Sequence, residues 1–241
     1  EGGIDDVGLG VLFGLEKYRY EFVGLLMHAE HLEAVWGVGP HTISVPRVKP
    51  AMDIDPASFD DGLSDDMFEK IIALIRIAVP YTGMIISTRE SQAVREKALQ
   101  YGISQISGGS RTSVGGYEEE ERPHDTEQFD VSDQRTLDEV IHWLMECGHI
   151  PSFCTACYRA GRTGDRFMSF CKSGQILNYC QPNALMTLDE YLMDYASPTT
   201  RSLGRSLIAR ELTRIPDARV RRVTREHLSA IENSNARDFR F

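Results

Sequence analysis

The chain reads as an α/β protein in two parts: about four βα units of a parallel sheet over residues 1–117, followed by a mainly helical region over residues 118–241. Three observations lead there. Short apolar or β-branched stretches alternate with stretches of helical period through the first half, the pattern of βα units. After Tyr117 the composition turns polar and the alternation stops. Beyond it, helix-opening Thr-Leu-Asp-Glu boxes flank cysteines spaced Cys154-x2-Cys157-x22-Cys180.

Each element has its own signal. Residues 7–13 form a short glycine-punctuated apolar run, consistent with a buried parallel strand. Residues 20–36 carry apolar side chains at helical spacing, and Gly37 and Gly39 stop them. Residues 41–45 are β-branched and closed by Pro46. A helix over 67–79 ends at Pro80, a strand covers 84–88, a helix over 91–101 ends at Gly102, and a strand covers 104–107. Four βα units are half of an eightfold barrel. Standing alone they would leave two long strand edges unpaired, so the chain is expected to be truncated or completed by another chain.

The second half begins with a polar linker, 118–123. Thr136 and Thr187 each start a Thr-Leu-Asp-Glu box and are expected to cap helices, with the cysteines in a loop-rich stretch between them that a metal would organise. Residues 201–241 hold ten arginines against five acids, so the last stretch is +5 and the first 200 residues are −15. This basic helical stretch reads as a solvated or domain-docking face.

Composition narrows the function classes. With 241 residues and 41% hydrophobic content the chain can bury a real core, and no apolar run reaches membrane-spanning length. Nothing at the N-terminus reads as a targeting peptide, and a net charge of −10 argues against nucleic acid as a partner. Five cysteines with a tight CxxC pair suit a reducing, cytoplasmic setting better than a disulfide framework.

Three thiolates can hold three corners of a 4Fe-4S cluster and leave the fourth iron open. The same spacing builds zinc sites, with Cys147, His149 or Cys171 available as a fourth ligand, so spacing alone leaves both metals open. His41, Ser44 and Arg47 share one predicted strand, and strand ends of such barrels collect active-site residues. His28 and His31 are three apart on one helix and face helix surroundings more naturally. Ser87-Thr88-Arg89-Glu90-Ser91 and Ser107-Gly108-Gly109-Ser110-Arg111 follow the last two strands. An arginine fork with close-approaching glycine backbone can grip a carboxylate, although the glycine run lacks the lysine and spacing of a phosphate loop.

The frame Cys154-Thr155-Ala156-Cys157-Tyr158-Arg159-Ala160-Gly161-Arg162-Thr163-Gly164, with Asp165-Arg166-Phe167-Met168 and Cys180-Gln181-Pro182-Asn183-Ala184-Leu185, closely resembles the cluster domain of the radical-SAM tyrosine lyases that mature FeFe-hydrogenases, and the resemblance runs upstream to residue 1. It implies the second half of a radical-SAM (β/α)8 barrel followed by a helical auxiliary iron-sulfur domain. It implies an auxiliary 4Fe-4S cluster on Cys154, Cys157 and Cys180, with an additional labile iron on His41. Arg89 and Ser107 would hold the tyrosine carboxylate, with Arg111 a second candidate, and Val45 and Arg47 would approach the S-adenosylmethionine side. Such enzymes cleave tyrosine to p-cresol and dehydroglycine, and the latter yields CO and cyanide for the hydrogenase centre. The implied partners are L-tyrosine, other hydrogenase maturation proteins and the missing N-terminal barrel half. The Cys-x3-Cys-x2-Cys motif that would bind a second 4Fe-4S cluster and S-adenosylmethionine is not in this sequence, so the chain is not expected to act alone. Two other readings stay open: a fragment of a thiamine-pathway-like aromatic amino-acid lyase, and a zinc-stapled interaction module without catalysis.

Overall fold

Residues 2–51, 54–59, 61–113, 115–117 and 131–241 are described by the computed structural model. The chain divides into two compact units, Glu1–Arg135 and Thr136–Phe241. The polar stretch expected at 118–123, and with it the boundary at 117/118, lies outside the described residues. When the chain resumes it still belongs to the first unit. The Asp133 amide donates to the Thr88 carbonyl at 3.1 Å, and the Asp133 carboxylate pairs with the fully buried Arg95.

The first unit is a parallel sheet in the order β1-β2-β3-β4 with helices between its strands. Its elements are β1 Gly8–Gly10, α1 Tyr18–Trp36, β2 Thr42–Ser44, α2 Asp65–Ala78, β3 Gly83–Ile86, α3 Gln92–Gln100 and β4 Gln105–Ile106. Side chains alternate across a strand. Ile43 and Val45, with Met84 and Ile86, are buried against Leu25 and Ala29 of α1, Phe68, Ile72 and Ile75 of α2, and Val94 and Ala98 of α3. Each such side chain contributes about 1.5–3 kcal/mol on burial. The intervening positions Thr42, Ser44, Gly83 and Ile85 are half-buried. Leu9 is half-buried but Gly8 and Gly10 are exposed, so β1 is not the buried strand the apolar run predicts. The reason is its place at the sheet edge.

Helix ends follow local chemistry. α1 stops where Gly37 takes a left-handed φ of 73° and donates to the Glu33 carbonyl. Ser64 and Ser91 cap α2 and α3 by accepting from the amides of Met67 and Val94.

In the second unit the described helices are α4 Leu137–Glu146, α5 Ala156–Arg159, α6 Gly164–Lys172, α7 Leu177–Asp194, α8 Pro198–Leu212 and α9 Ala218–Ser234. Ile141 and Met145 of α4, Leu185, Leu188 and Leu192 of α7, Leu207 and Ile208 of α8, and Leu228 and Ile231 of α9 share one core. Helices α7 and α8 approach closely at Gly204, where a Cβ would lie 2.4 Å from Leu192 Cδ1.

Thr136 forms the expected capping box with Glu139. The second box does not cap anything. Thr187 lies inside α7, its hydroxyl donating back to the Asn183 carbonyl at 3.0 Å, because the helix has begun at Leu177 and runs through Pro182. Cys180 is therefore on a helix rather than in the expected loop. In the basic stretch Arg205, Arg210, Arg214, Arg219, Arg222, Arg225 and Arg240 are exposed, and several arginines also bind within the unit. Arg237 pairs with Asp194, Arg210 and Arg214 with the buried Glu211, and Arg201 donates to the Leu192 carbonyl.

Candidate metal centre and strand-end ligand site

The cysteines of the second unit lie on a turn and three helices. Cys154 precedes α5, and its sulfur accepts from the Ala156 amide at 3.4 Å. Cys157 lies on α5, Cys171 on α6 and Cys180 on α7. All are free thiols. Burial, then Cys157, pushes the Cys171 thiol up to about 11. Cys180 is also pushed up to about 11, by burial first and then by Cys157, Cys154 and Cys171, with Arg162 opposing. Thiolates that raise one another in this way are a donor set in need of positive charge, and a thiol-ligated iron-sulfur cluster or zinc ion fits it. Among the described residues, no three His, Cys, Asp or Glu side chains are grouped closely enough to hold one metal ion. Of the fourth-ligand candidates, Cys171 joins the set; Cys147, at the end of α4, is exposed.

The second site lies at the C-terminal ends of the strands in the first unit. Arg89 follows β3 in a turn where Ser87 Oγ accepts the Arg89 amide at 3.3 Å. Its neighbours Thr88 and Glu90 are buried, and Arg89 is half-buried. Burial lowers its guanidinium from the usual value and Glu90 opposes, yet an arginine stays charged in proteins. Ser107 follows β4; its amide donates to the Ile86 carbonyl at 3.2 Å and its carbonyl accepts from Arg95. The two expected carboxylate-binding residues thus leave adjacent, hydrogen-bonded strands at the same end. Arg111 is exposed, with its amide on the Tyr117 hydroxyl at 3.1 Å.

His41 lies elsewhere in this unit. It immediately precedes β2, with its amide on the Val7 carbonyl and its carbonyl on the Gly83 amide, and its Nδ1 is 3.1 Å from Thr42 Oγ1. It is at a strand end, but at the N-terminal end, opposite to Arg89 and Ser107.

Val45 and Arg47, expected on the adenosyl side, are both buried. Val45 is 1% exposed in the core against the helices. Arg47 donates through Nε to Glu90 Oε1 at 2.9 Å and through Nη1 to the Leu63 carbonyl at 3.0 Å. Its Nη2 pairs with Glu90 and with Asp65 at 2.8 Å, and its guanidinium lies 4.4 Å from the Phe68 ring centre. Burial pulls the Arg47 guanidinium down, but Glu90 and Asp65 outweigh it and it ends above its usual value. Val45 shares the packed face with Ile43, whereas Arg47 also lines a cavity of about 330 Å³ with Phe13, Lys49 and Ser64.

Residues 44–150 match the family described as Biotin and Thiamin Synthesis associated domain. The 2-iminoacetate synthase of Escherichia coli (strain K12) is 31% identical over 151 residues, 62% of this chain and 39% of the relative; that of Salmonella typhimurium is 29% identical over the same length. A crystal structure of HydG, described as a maturase of the FeFe-hydrogenase, matches 99% of this chain at 54% identity with a TM-score of 0.94. The chain belongs to the HydG family. HydG from Carboxydothermus hydrogenoformans, also described as a FeFe-hydrogenase maturase, agrees over 94% of the chain at 38% identity and a TM-score of 0.74. The chain spans 51% and 48% of these two HydG chains and 39% of the curated relatives, and it corresponds to the C-terminal half of the HydG fold.

The expectations missed the groups that hold the strand-end site. Glu90 ties Arg47 and Lys49 together under the Arg89 turn, and Arg95 joins α3, the Ser107 carbonyl and Asp133. The available signal was Arg95 on the same helical face as Val94 and Ala98.

Proposed function

We propose that this chain supplies the C-terminal part of a radical-SAM tyrosine lyase that gives p-cresol and dehydroglycine and then CO and cyanide for assembly of the FeFe-hydrogenase centre. The observation that carries the reading is the Cys154-x2-Cys157-x22-Cys180 frame in a chain similar to HydG along 99% of its length. The 2-iminoacetate synthases match a smaller part at lower identity, which favours the maturase over a thiamine-pathway-like lyase.

Cys154, Cys157 and Cys180 are proposed to hold an auxiliary 4Fe-4S cluster. When bound, it supplies an open iron able to take a non-protein ligand. Arg89 and Ser107 at the strand C-termini hold the carboxylate of L-tyrosine, Arg89 as a charged fork and Ser107 as a hydrogen-bonding hydroxyl. Glu90, neutralised by Arg47 and Lys49, holds the Arg89 turn in place. His41 is proposed to hold the labile iron from the opposite end of β2. The imidazole precedes β2 while Arg89 and Ser107 follow β3 and β4, so iron ligand and carboxylate clamp sit at opposite ends of the parallel sheet. S-adenosylmethionine, its own 4Fe-4S cluster and the N-terminal barrel half come from outside this chain, as do the other hydrogenase maturation proteins it would serve in the cytoplasm. Among the described residues, no helix is long and apolar enough to cross a membrane.

Anaerobic reconstitution with iron and sulfide tests the reading. Broad charge-transfer absorption that disappears in the Cys154→Ser, Cys157→Ser double variant is expected. The position of Cys171 keeps one other reading alive, since four thiolates also make a structural zinc set. One bound zinc and a featureless visible spectrum would decide for a non-catalytic zinc-stapled module.

A further inference from the structure

Arg162 is a buried cation set among the cysteines, and no part of the proposed reaction uses it. It is 9% exposed and lies between two ligand segments. Its amide donates to the Cys157 carbonyl at 2.8 Å, and its guanidinium stacks 4.8 Å from the ring centre of Tyr179, the residue before Cys180. Nη2 is held by the Phe241 carbonyl at 2.7 Å, while the Phe241 amide donates to Asn183 Oδ1 at 2.9 Å, one helical turn beyond Cys180. The buried Nε has no hydrogen-bond partner. The other arginines of this loop are employed differently: Arg159 pairs with Asp238, and Arg166 is exposed.

A buried N–H without an acceptor costs about 1–3 kcal/mol, so its persistence beside a set of thiols calls for an acceptor there. We propose that Arg162 is the charge partner of the auxiliary cluster, its Nε–H donating to a cluster or cysteinyl sulfur and its fixed positive charge raising the reduction potential. The inference rests on the cluster reading above. Hydrogen bonds to sulfur and net charge are two of the factors that set such potentials. A cation close by favours the form that has gained an electron, and stacking on Tyr179 together with the bond to the Phe241 oxygen holds the guanidinium in place.

The test is a redox titration of the anaerobically reconstituted protein, followed by electron paramagnetic resonance. One electron per cluster is supplied by dithionite-poised mediators. Wild type, Arg162→Met and Arg162→Lys are compared after iron and acid-labile sulfide are measured. The Met variant should keep its cluster and show a reduced-to-oxidised ratio lower by about three- to tenfold at the wild-type midpoint; tenfold corresponds to about 59 mV for a one-electron couple. The Lys variant keeps the charge and should fall between the two. Cluster loss in the Met variant with retention in the Lys variant also supports a requirement for charge. An unmoved midpoint in Arg162→Met, or cluster loss from both variants, overturns the inference while leaving the cluster reading intact. Absence of sulfide from wild-type protein overturns both.

Discussion

Arg89 lies half-buried between the buried Thr88 and Glu90, just past the C-terminal end of β3. Hydrogen bonds to a charged partner contribute about 1.5–3 kcal/mol. Arg89→Ala should therefore weaken equilibrium binding of L-tyrosine to the full-length polypeptide by about tenfold to a hundredfold; unchanged affinity would remove it from the carboxylate clamp. His41→Ala should leave the cysteine-held cluster in place and lower the iron-to-sulfide ratio, because only the imidazole is lost. An iron-to-sulfide ratio equal to wild type would refute the iron-ligand role. The sequence singled these residues out because they sit beside strand signals. Their supports were not. Nothing in the local spacing says that Glu90 pairs with Arg47, 43 residues away, or Arg95 with Asp133, 38 residues away.

One tetrapeptide, Thr-Leu-Asp-Glu, occurs twice and behaves in two ways, which separates local preference from tertiary context. At Thr136 the hydroxyl accepts the Glu139 amide and the Glu139 carboxylate accepts the Thr136 amide. Thr136→Ala should cost about 1 kcal/mol of unfolding free energy. Thr187 sits mid-helix, bonds back to a carbonyl that the helix can satisfy without it and accepts from the exposed Phe153 amide, which water can replace, so Thr187→Ala should stay within about 0.5 kcal/mol of wild type. Denaturant unfolding of both variants checks the contrast, and equal costs would show that Thr187 caps after all. The difference arises upstream. Leu185, Leu188 and Leu192 extend the apolar face of α7 into the core shared with α8 and α9, and that burial outweighs the local stop signalled by Pro182. The strands of the first unit were found in their right order but overextended, since pairing stops sooner than the apolar runs do.

Across the whole protein, buried charge gives stability a pH dependence of two signs. Asp189 is 1% exposed with neither carboxylate oxygen hydrogen-bonded, and burial first, then Glu232, raises it from its ordinary 3.8 to about 6 while Arg205 and Arg237 oppose. The folded state then holds a proton that the unfolded state has released between about pH 4 and 6. Stability from this group falls as pH rises through that window, by up to about 3 kcal/mol. Asp189→Asn should raise the denaturant midpoint at pH 7 and leave it nearly unchanged at pH 4; an equal gain at both would deny the shift. Asp133 and Asp138 are held below their ordinary values, by Arg135 and Arg95 and by Ser197, Thr200 and Tyr191 respectively, against the opposing effect of burial. Their contribution is lost only in acid below about pH 4, as pH falls through the folded values. Alternating periodicity was enough to specify a parallel βα sheet followed by helices, because backbone period is a local property. Folding decided which end of β2 His41 occupies, that Arg47 is spent on Glu90, that Cys171 joins the other thiols and that Arg162 is buried beside them. Those are matters of strand direction and of burial among residues distant in the chain, for which no local pattern codes.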